Sequence, residues 1–189
     1  MNLKLPPLYK RLLAFLVVIG PIFWLVFTED GQRRTDSVVL FLWGEEEINL
    51  NLEALDNQFT ESQLKEVFPD IEWQCQDQVS SFGNRLCASR IGIFNSMPAR
   101  YITIFFHDQW VNGLKVVYRR IYHDQLIQQL FQQMGNPVTE SAQGAEMPQT
   151  DSILRWDTGN GNVILKHELD EKEEPALLWL PYSVMPLGS

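Results

Sequence analysis

The stretch YITIFFHDQWVNGLKVVYRRIYHDQLIQQLFQQM, residues 101–134, decides the fold class. Tyr101 to Phe106 is a run of β-branched and aromatic residues, Asn112-Gly113 is a reversal signal, and Leu114 to Arg119 is a second such run. Runs of this composition joined by a turn predict paired antiparallel strands. The periodicity then changes: Leu126, Ile127, Leu130, Phe131 and Met134 fall at i, i+1, i+4, i+5 and i+8, which places them on one face of a helix. Asp124 suits its first turn, and Gly135-Asn136-Pro137 stops it. The outer face is glutamine: Gln125, Gln128, Gln129, Gln132 and Gln133. Strands followed by a helix in one short stretch predict an α+β domain.

Upstream, Val38 to Trp43 and the alternating Ile48-Asn49-Leu50-Asn51-Leu52 flank Gly44-Glu45-Glu46 and predict a hairpin. Thr60 with Gln63 three residues later is a capping-box pattern for a short helix through Val67, ended by Pro69. An extended segment, Ile71 to Cys75, and a strand over Leu86 to Phe94 follow. Downstream, Asn136 to Ser152 reads as a loop. Ile153 to Trp156 and Asn162 to His167 flank the hairpin signal Thr158-Gly159-Asn160-Gly161, and a charged loop leads to a last strand over Ala176 to Leu180. Residues 60 to 119 and 122 to 180 share an order of helix, extended segment and strands, a tandem α-β-β arrangement. In element order, residues 60 to 180 resemble the helix-plus-antiparallel-sheet modules of the outer-membrane assembly lipoprotein BamE and the β-lactamase inhibitor protein. That resemblance implies the fold and carries over no functional residue.

The amino terminus predicts a membrane. Leu12 to Phe27, LLAFLVVIGPIFWLVF, is sixteen residues without a charge, preceded by Lys4, Lys10 and Arg11 and followed by Glu29 and Asp30. Sixteen helical residues reach roughly 24 Å, a little short of a hydrocarbon core of about 30 Å, with Tyr9, Trp24 and Thr28 near the interfaces. A cleaved signal peptide shares the basic and apolar regions, but no A-x-A-like site follows Phe27. A buried core helix would carry a polar face, and this segment has none. Retained anchor is therefore the reading taken. The positive-inside bias puts the amino terminus in the cytoplasm and the body outside it.

The division expected is residues 1–35 as cytoplasmic stub, anchor and linker, and residues 36–189 as an extracytoplasmic domain. Residues 1–35 hold five of the fifteen Lys/Arg and two of the twenty-four Asp/Glu, so residues 36–189 hold ten against twenty-two, a net −12. A body so acidic repels phosphate backbones, which argues against nucleic-acid binding. Cys75 and Cys87, the two cysteines of the chain, predict a disulfide in an oxidising space, which would stabilise the fold by ~3 kcal/mol.

Catalytic signatures are thin. His107-Asp108-Gln109 and His123-Asp124-Gln125 repeat one string, but His167 is the sole further histidine, too few for a metal site built on His-Asp pairs. The chain has no C-x-x-C, no G-x-S-x-G and no phosphate-binding glycine loop. Glu45-Glu46-Glu47 and the acidic run Glu168 to Glu174 lack calcium-loop spacing. No cofactor or metal is expected. The feature left over is aromatic: Trp110, beside the Asn112-Gly113 reversal, is expected at a hairpin tip as a contact residue. With it, Gln125, Gln129 and Gln132 of the glutamine face are candidate partner contacts. The expected function is a non-catalytic binding or scaffold domain tethered to the inner membrane of a bacterial envelope, its partners being the membrane through Leu12 to Phe27 and another envelope protein. An envelope hydrolase assembled only in three dimensions, or an accessory subunit of a larger membrane complex, are the alternatives.

Overall fold

The structure, a computed structural model, describes residues 6–28, 30, 31, 35, 46–140 and 153–182. The chain forms two compact units, Met1–Gly44 and Glu45–Ser189.

In the first unit, helix α1 runs over Pro7–Phe27, with Pro7 at the position where a missing N–H costs nothing. Its 21 residues make it about 32 Å long, so it begins five residues earlier than the uncharged run and reaches the thickness of a hydrocarbon core. Pro21 lies within it without ending it. Leu8–Leu25 is long and apolar enough to cross a membrane, and none of that window is buried. An apolar helix with no buried face differs from the core helix of a soluble domain.

The second unit is α+β. Its strands are β1 (Glu47–Ile48), β2 (Gln74–Ser80), β3 (Gly83–Arg90), β4 (Ile93–Phe94), β5 (Met97–His107), β6 (Trp110–Tyr118), β7 (Val138–Glu140), β8 (Ile153–Asp157), β9 (Gly161–Lys166) and β10 (Ala176–Pro181). Helix α2 is Glu61–Val67 and helix α3 is His123–Met134, the latter entered through a single 3-10 turn at Arg120–Tyr122. The capping box at Thr60 forms as its spacing predicts: Gln63 N–H donates to the Thr60 hydroxyl, and the Gln63 side chain accepts from Thr60 N–H at 2.8 Å.

Two antiparallel meanders lie side by side. β2, β3, β5 and β6 pair in succession, β7, β8, β9 and β10 do likewise, and β6 joins β10. Each meander follows a helix. The duplicated order expected as α-β-β is therefore helix plus four strands in each half, with β6 and β10 at the centre of the sheet. Both helices pack on one face. Leu64 of α2 and Leu126 and Leu130 of α3 join a core with Ile102, Ile104, Leu114, Val163 and Trp179. In an antiparallel ladder direct partners point to the same side, and the pairs Ile104–Leu114, Leu114–Trp179 and Trp179–Val163 mark out this covered face.

Two sequence expectations are corrected. Val38 to Trp43 lies outside the described residues, but the alternating Ile48 to Leu52 is not a hairpin arm. Only Glu47–Ile48 is strand, and it pairs parallel with β4. Leu52 leaves the ladder to enter the core. The second correction is the reversal between β5 and β6. It falls at Asp108 and Gln109, with φ of 47° and 84°, and not at Asn112-Gly113. Phe105 pairs with Gly113 and Phe106 with Val111, so Asn112 is the extra residue of a bulge, its amide donating to the Phe82 carbonyl at 2.8 Å. Gly113 sits close against β10: a Cβ there would come within 3.2 Å of Leu180 Cδ2, a tight contact that the leucine side chain would have to yield to.

Candidate functional site

The face opposite the helices is where chemistry is left over. Its middle row crosses six strands as Ala88, Thr103, Lys115, Leu178, Ile164 and Arg155, each directly opposite the next. The row on one side contains Leu86, Phe105, Gly113 and Leu180, and the row on the other contains Arg90, Tyr101, Val117 and Ala176. Apart from Val117, the apolar side chains of these three rows keep contact with solvent, Tyr101 at 44% exposure. None of them belongs to the core beneath the helices. The three rows, polar positions included, span on the order of 500 Å² of sheet. Within them Leu86, Tyr101, Phe105, Ile164, Leu178 and Leu180 are apolar neighbours that keep contact with solvent, a grouping of the kind that marks interaction surfaces.

Arg90, Lys115, Arg155 and Lys166 project from this face, and Asp157, with the Lys166 partners Asp170 and Glu173, supplies acids at its edge. Lys166 is committed: its ammonium pairs with Glu173 at 2.8 Å and Asp170 at 3.4 Å, and the Glu173 bond holds its pKa above the usual lysine range. Lys115 is partly buried at the centre and makes no side-chain ion pair or hydrogen bond among the described residues. Its direct neighbours are Thr103 and Leu178.

The contact residues expected from sequence are spread over other surfaces. Trp110 is 50% exposed, as the first residue of β6 and not at the tip, and it borders a shallow hollow of about 550 Å³ with Phe59, Thr60 and Gln63. Gln125 and Gln132 are exposed on α3. Gln129 is half-buried and donates to the Asn95 carbonyl at 3.3 Å. It lines a groove of about 640 Å³ between α3, the β4–β5 turn and residues 49–53, floored by Leu52, Phe94, Met97 and Leu126. The structure thus does not bring Trp110 and the three glutamines into one patch.

Polar residues that no spacing foretold meet near α2. Glu61 accepts from Arg85 at 2.5 Å and from Lys65 at 2.7 Å, and Arg85 also pairs with Asp77 at 2.7 Å. The Arg85 hydrogen bond pulls the Glu61 carboxyl down to about 2. A carboxylate held that far below neutrality is a poor proton acceptor and no proton donor at physiological pH. Residues 61, 77 and 85 are remote from one another in sequence, so no local pattern signals the cluster.

Cys75 and Cys87 are directly opposed on β2 and β3 and form the expected disulfide, with Cα atoms 4.0 Å apart. Among the described residues one group has the proximity of a metal site, Glu61 with the two cysteines, and there the sulfurs are bonded to each other and offer no thiolate. The histidines form no shared site. His107 is exposed beside Asp108 at 3.5 Å. His123 is buried, with Nδ1 2.8 Å from the Tyr118 hydroxyl and Nε2 3.0 Å from the His167 carbonyl. Burial without a charged partner pushes the Tyr118 hydroxyl well above its usual pKa.

No family model matches this chain, and no curated protein matches it. The similarity to BamE-like modules that element order implied has no support in these comparisons. One solved structure, that of a DUF4309 family protein (YjgB) from Bacillus subtilis, is similar over 67% of this chain and 81% of that chain, at 11% sequence identity and a TM-score of 0.41. A likeness of that size assigns the chain neither a family nor a function.

Proposed function

We propose that this chain is a single-pass protein of a bacterial inner membrane, with its amino terminus in the cytoplasm and residues 36–189 as a non-catalytic extracytoplasmic domain that holds another envelope protein. The observation that carries the reading is the sheet face opposite α2 and α3, whose apolar rows stay in contact with solvent among the described residues, in a domain that already owns a closed core. The unpacked apolar helix α1 supports the tether. Lys10 and Arg11 at its start support the orientation. The disulfide supports an oxidising compartment. Trp110 on β6, and separately Gln125 and Gln132 on α3, offer further contact positions, and Gln129 takes part through the groove it lines.

The test uses the full-length chain in cells. The protein is expected to stay in the membrane after carbonate extraction, and its domain to be cut by protease added to spheroplasts but not to intact cells. Recovery of a soluble species that begins downstream of Phe27 would defeat the anchor, and protection from protease in spheroplasts would reverse the orientation.

A further inference from the structure

We infer that the sheet face opposite α2 and α3 takes an acidic, partly apolar segment of a partner protein, one carboxylate of which seats on Lys115. The inference rests on the docking reading above and adds the chemistry of the partner. Lys115 sits between Thr103 and Leu178, and the neighbouring rows put Tyr101, Phe105 and Leu180 around it. Its own row, Ala88 to Arg155, holds no acid, and the acids Asp170 and Glu173 at the edge of the face are held by Lys166. An ammonium among apolar neighbours without a counter-ion gains most from a carboxylate that arrives with its own apolar flanks, since closure of the interface excludes water and strengthens the pair.

The overall charge points the same way. In a domain with ten cations and twenty-two acids, the middle row of this face holds two cations, Lys115 and Arg155, and no acid, so it is less repulsive to an arriving carboxylate than the acidic remainder. That contrast selects a short segment over an extended anionic plane. A bilayer surface would meet the acidic remainder of the domain, and a lysine held within the pleat is reached by an inserting side chain. Three rows of a sheet, with an area on the order of 500 Å², suit one side of a small protein interface.

The experiment is site-specific photocrosslinking in native membranes with the full-length chain. Tyr101→p-benzoylphenylalanine places a probe of similar shape beside Lys115, and Gln125→p-benzoylphenylalanine on α3 serves as the comparison. Crosslinked peptides are mapped by mass spectrometry. The expected result is a Tyr101-site product with a segment of another protein that carries Asp or Glu beside apolar residues. Its yield should fall about tenfold or more with Lys115→Glu, fall less with Lys115→Gln, and persist with Lys115→Arg. Replacing the mapped carboxylate with Lys should restore the product in Lys115→Glu. Circular dichroism and melting of each variant establish that it is folded.

A protein product whose yield ignores Lys115→Glu and Lys115→Gln would overturn the acidic-segment inference and leave the docking face standing. Crosslinks to lipid, to a second copy of this chain or to its own residues would overturn the inference outright. Absence of any Tyr101-site product from folded protein would overturn both the inference and the docking reading.

Discussion

The side-chain amide of Asn95 pairs with both backbone polar groups of Leu50: Leu50 N–H donates to Asn95 Oδ1 at 2.8 Å, and Asn95 Nδ2 donates to the Leu50 carbonyl at 2.9 Å. These two bonds extend the β1–β4 pairing by one rung after the ladder ends at Ile48 and Phe94. Asn95 holds φ at 47°, in the left-handed region, where asparagine is tolerated better than most residues. The clip aims Leu52 into the core and shapes the groove that Gln129 lines.

Asn95→Ala removes both bonds and the residue suited to that φ, so it is expected to destabilise by about 2–4 kcal/mol. Asn95→Gly keeps the backbone freedom and loses only the amide, for about 1–2 kcal/mol. Urea denaturation of residues 46–189 separates the two, and equal effects would mean that φ contributes nothing.

Leu130→Ala and Phe131→Ala are adjacent substitutions with unequal consequences. Leu130 is 4% exposed within the core, whereas Phe131 is 39% exposed and meets Trp156 only edge-on, with ring centroids 5.8 Å apart. Losses of about 2–5 kcal/mol for the first and about 1–2 kcal/mol for the second are expected, and within about 0.5 kcal/mol for Gln125→Ala. A Phe131→Ala loss as large as that of Leu130→Ala would place the ring in the core.

Trp110→Ala is expected to cost about 1–2 kcal/mol, well below the about 3–5 kcal/mol of Phe106→Ala, because the indole is half exposed and Phe106 is fully buried. Melting curves of the two variants give the ranking. A Trp110→Ala loss equal to that of Phe106→Ala would make the indole a core residue and remove it as a contact.

Acid should weaken the Glu61 cluster. The folded-state carboxyl titrates at about 2 against an ordinary 4.5, so the stabilisation is fully present above about pH 5 and is lost as pH falls toward 2. Glu61→Gln is expected to cost on the order of 1–3 kcal/mol at pH 7 and progressively less down that window. A cost that stays constant between about pH 6 and about pH 3 would mean that the Arg85 bond does not depend on the charge of Glu61.

Reduction should loosen the β2 edge. Cys75→Ser with Cys87→Ser is expected to lower stability by about 3 kcal/mol, and maleimide should label the untreated protein only after reductant is added. Labelling of the native, unreduced chain would show that the bond does not form in cells.

Local order in the amino-acid sequence was enough to locate α1, the Thr60–Gln63 capping box, α3 and the strands around Tyr101–Phe106 and Leu114–Tyr118, since each depends on neighbours within one or two turns or one pleat. Isolation of the two cysteines was enough to pair Cys75 with Cys87. Periodicity also identified the apolar stripe of α3, but not that Phe131 would sit at its rim, because stripe width is set by where the helix rests on the sheet. The reversal was misplaced for a similar reason: Asn112-Gly113 has turn chemistry, yet the partners Phe82 and Leu180 use it for a bulge and a close approach, and Asp108-Gln109 takes the turn. Only the tertiary structure decided which sheet face the two helices cover, and hence that Lys115 faces outward among apolar residues, that Glu61, Asp77 and Arg85 meet, and that Asn95 reaches Leu50 across 45 residues. Those outcomes depend on strand register and helix placement between segments remote in the chain, and hydrophobic alternation in one strand has the same form whichever face becomes the inside.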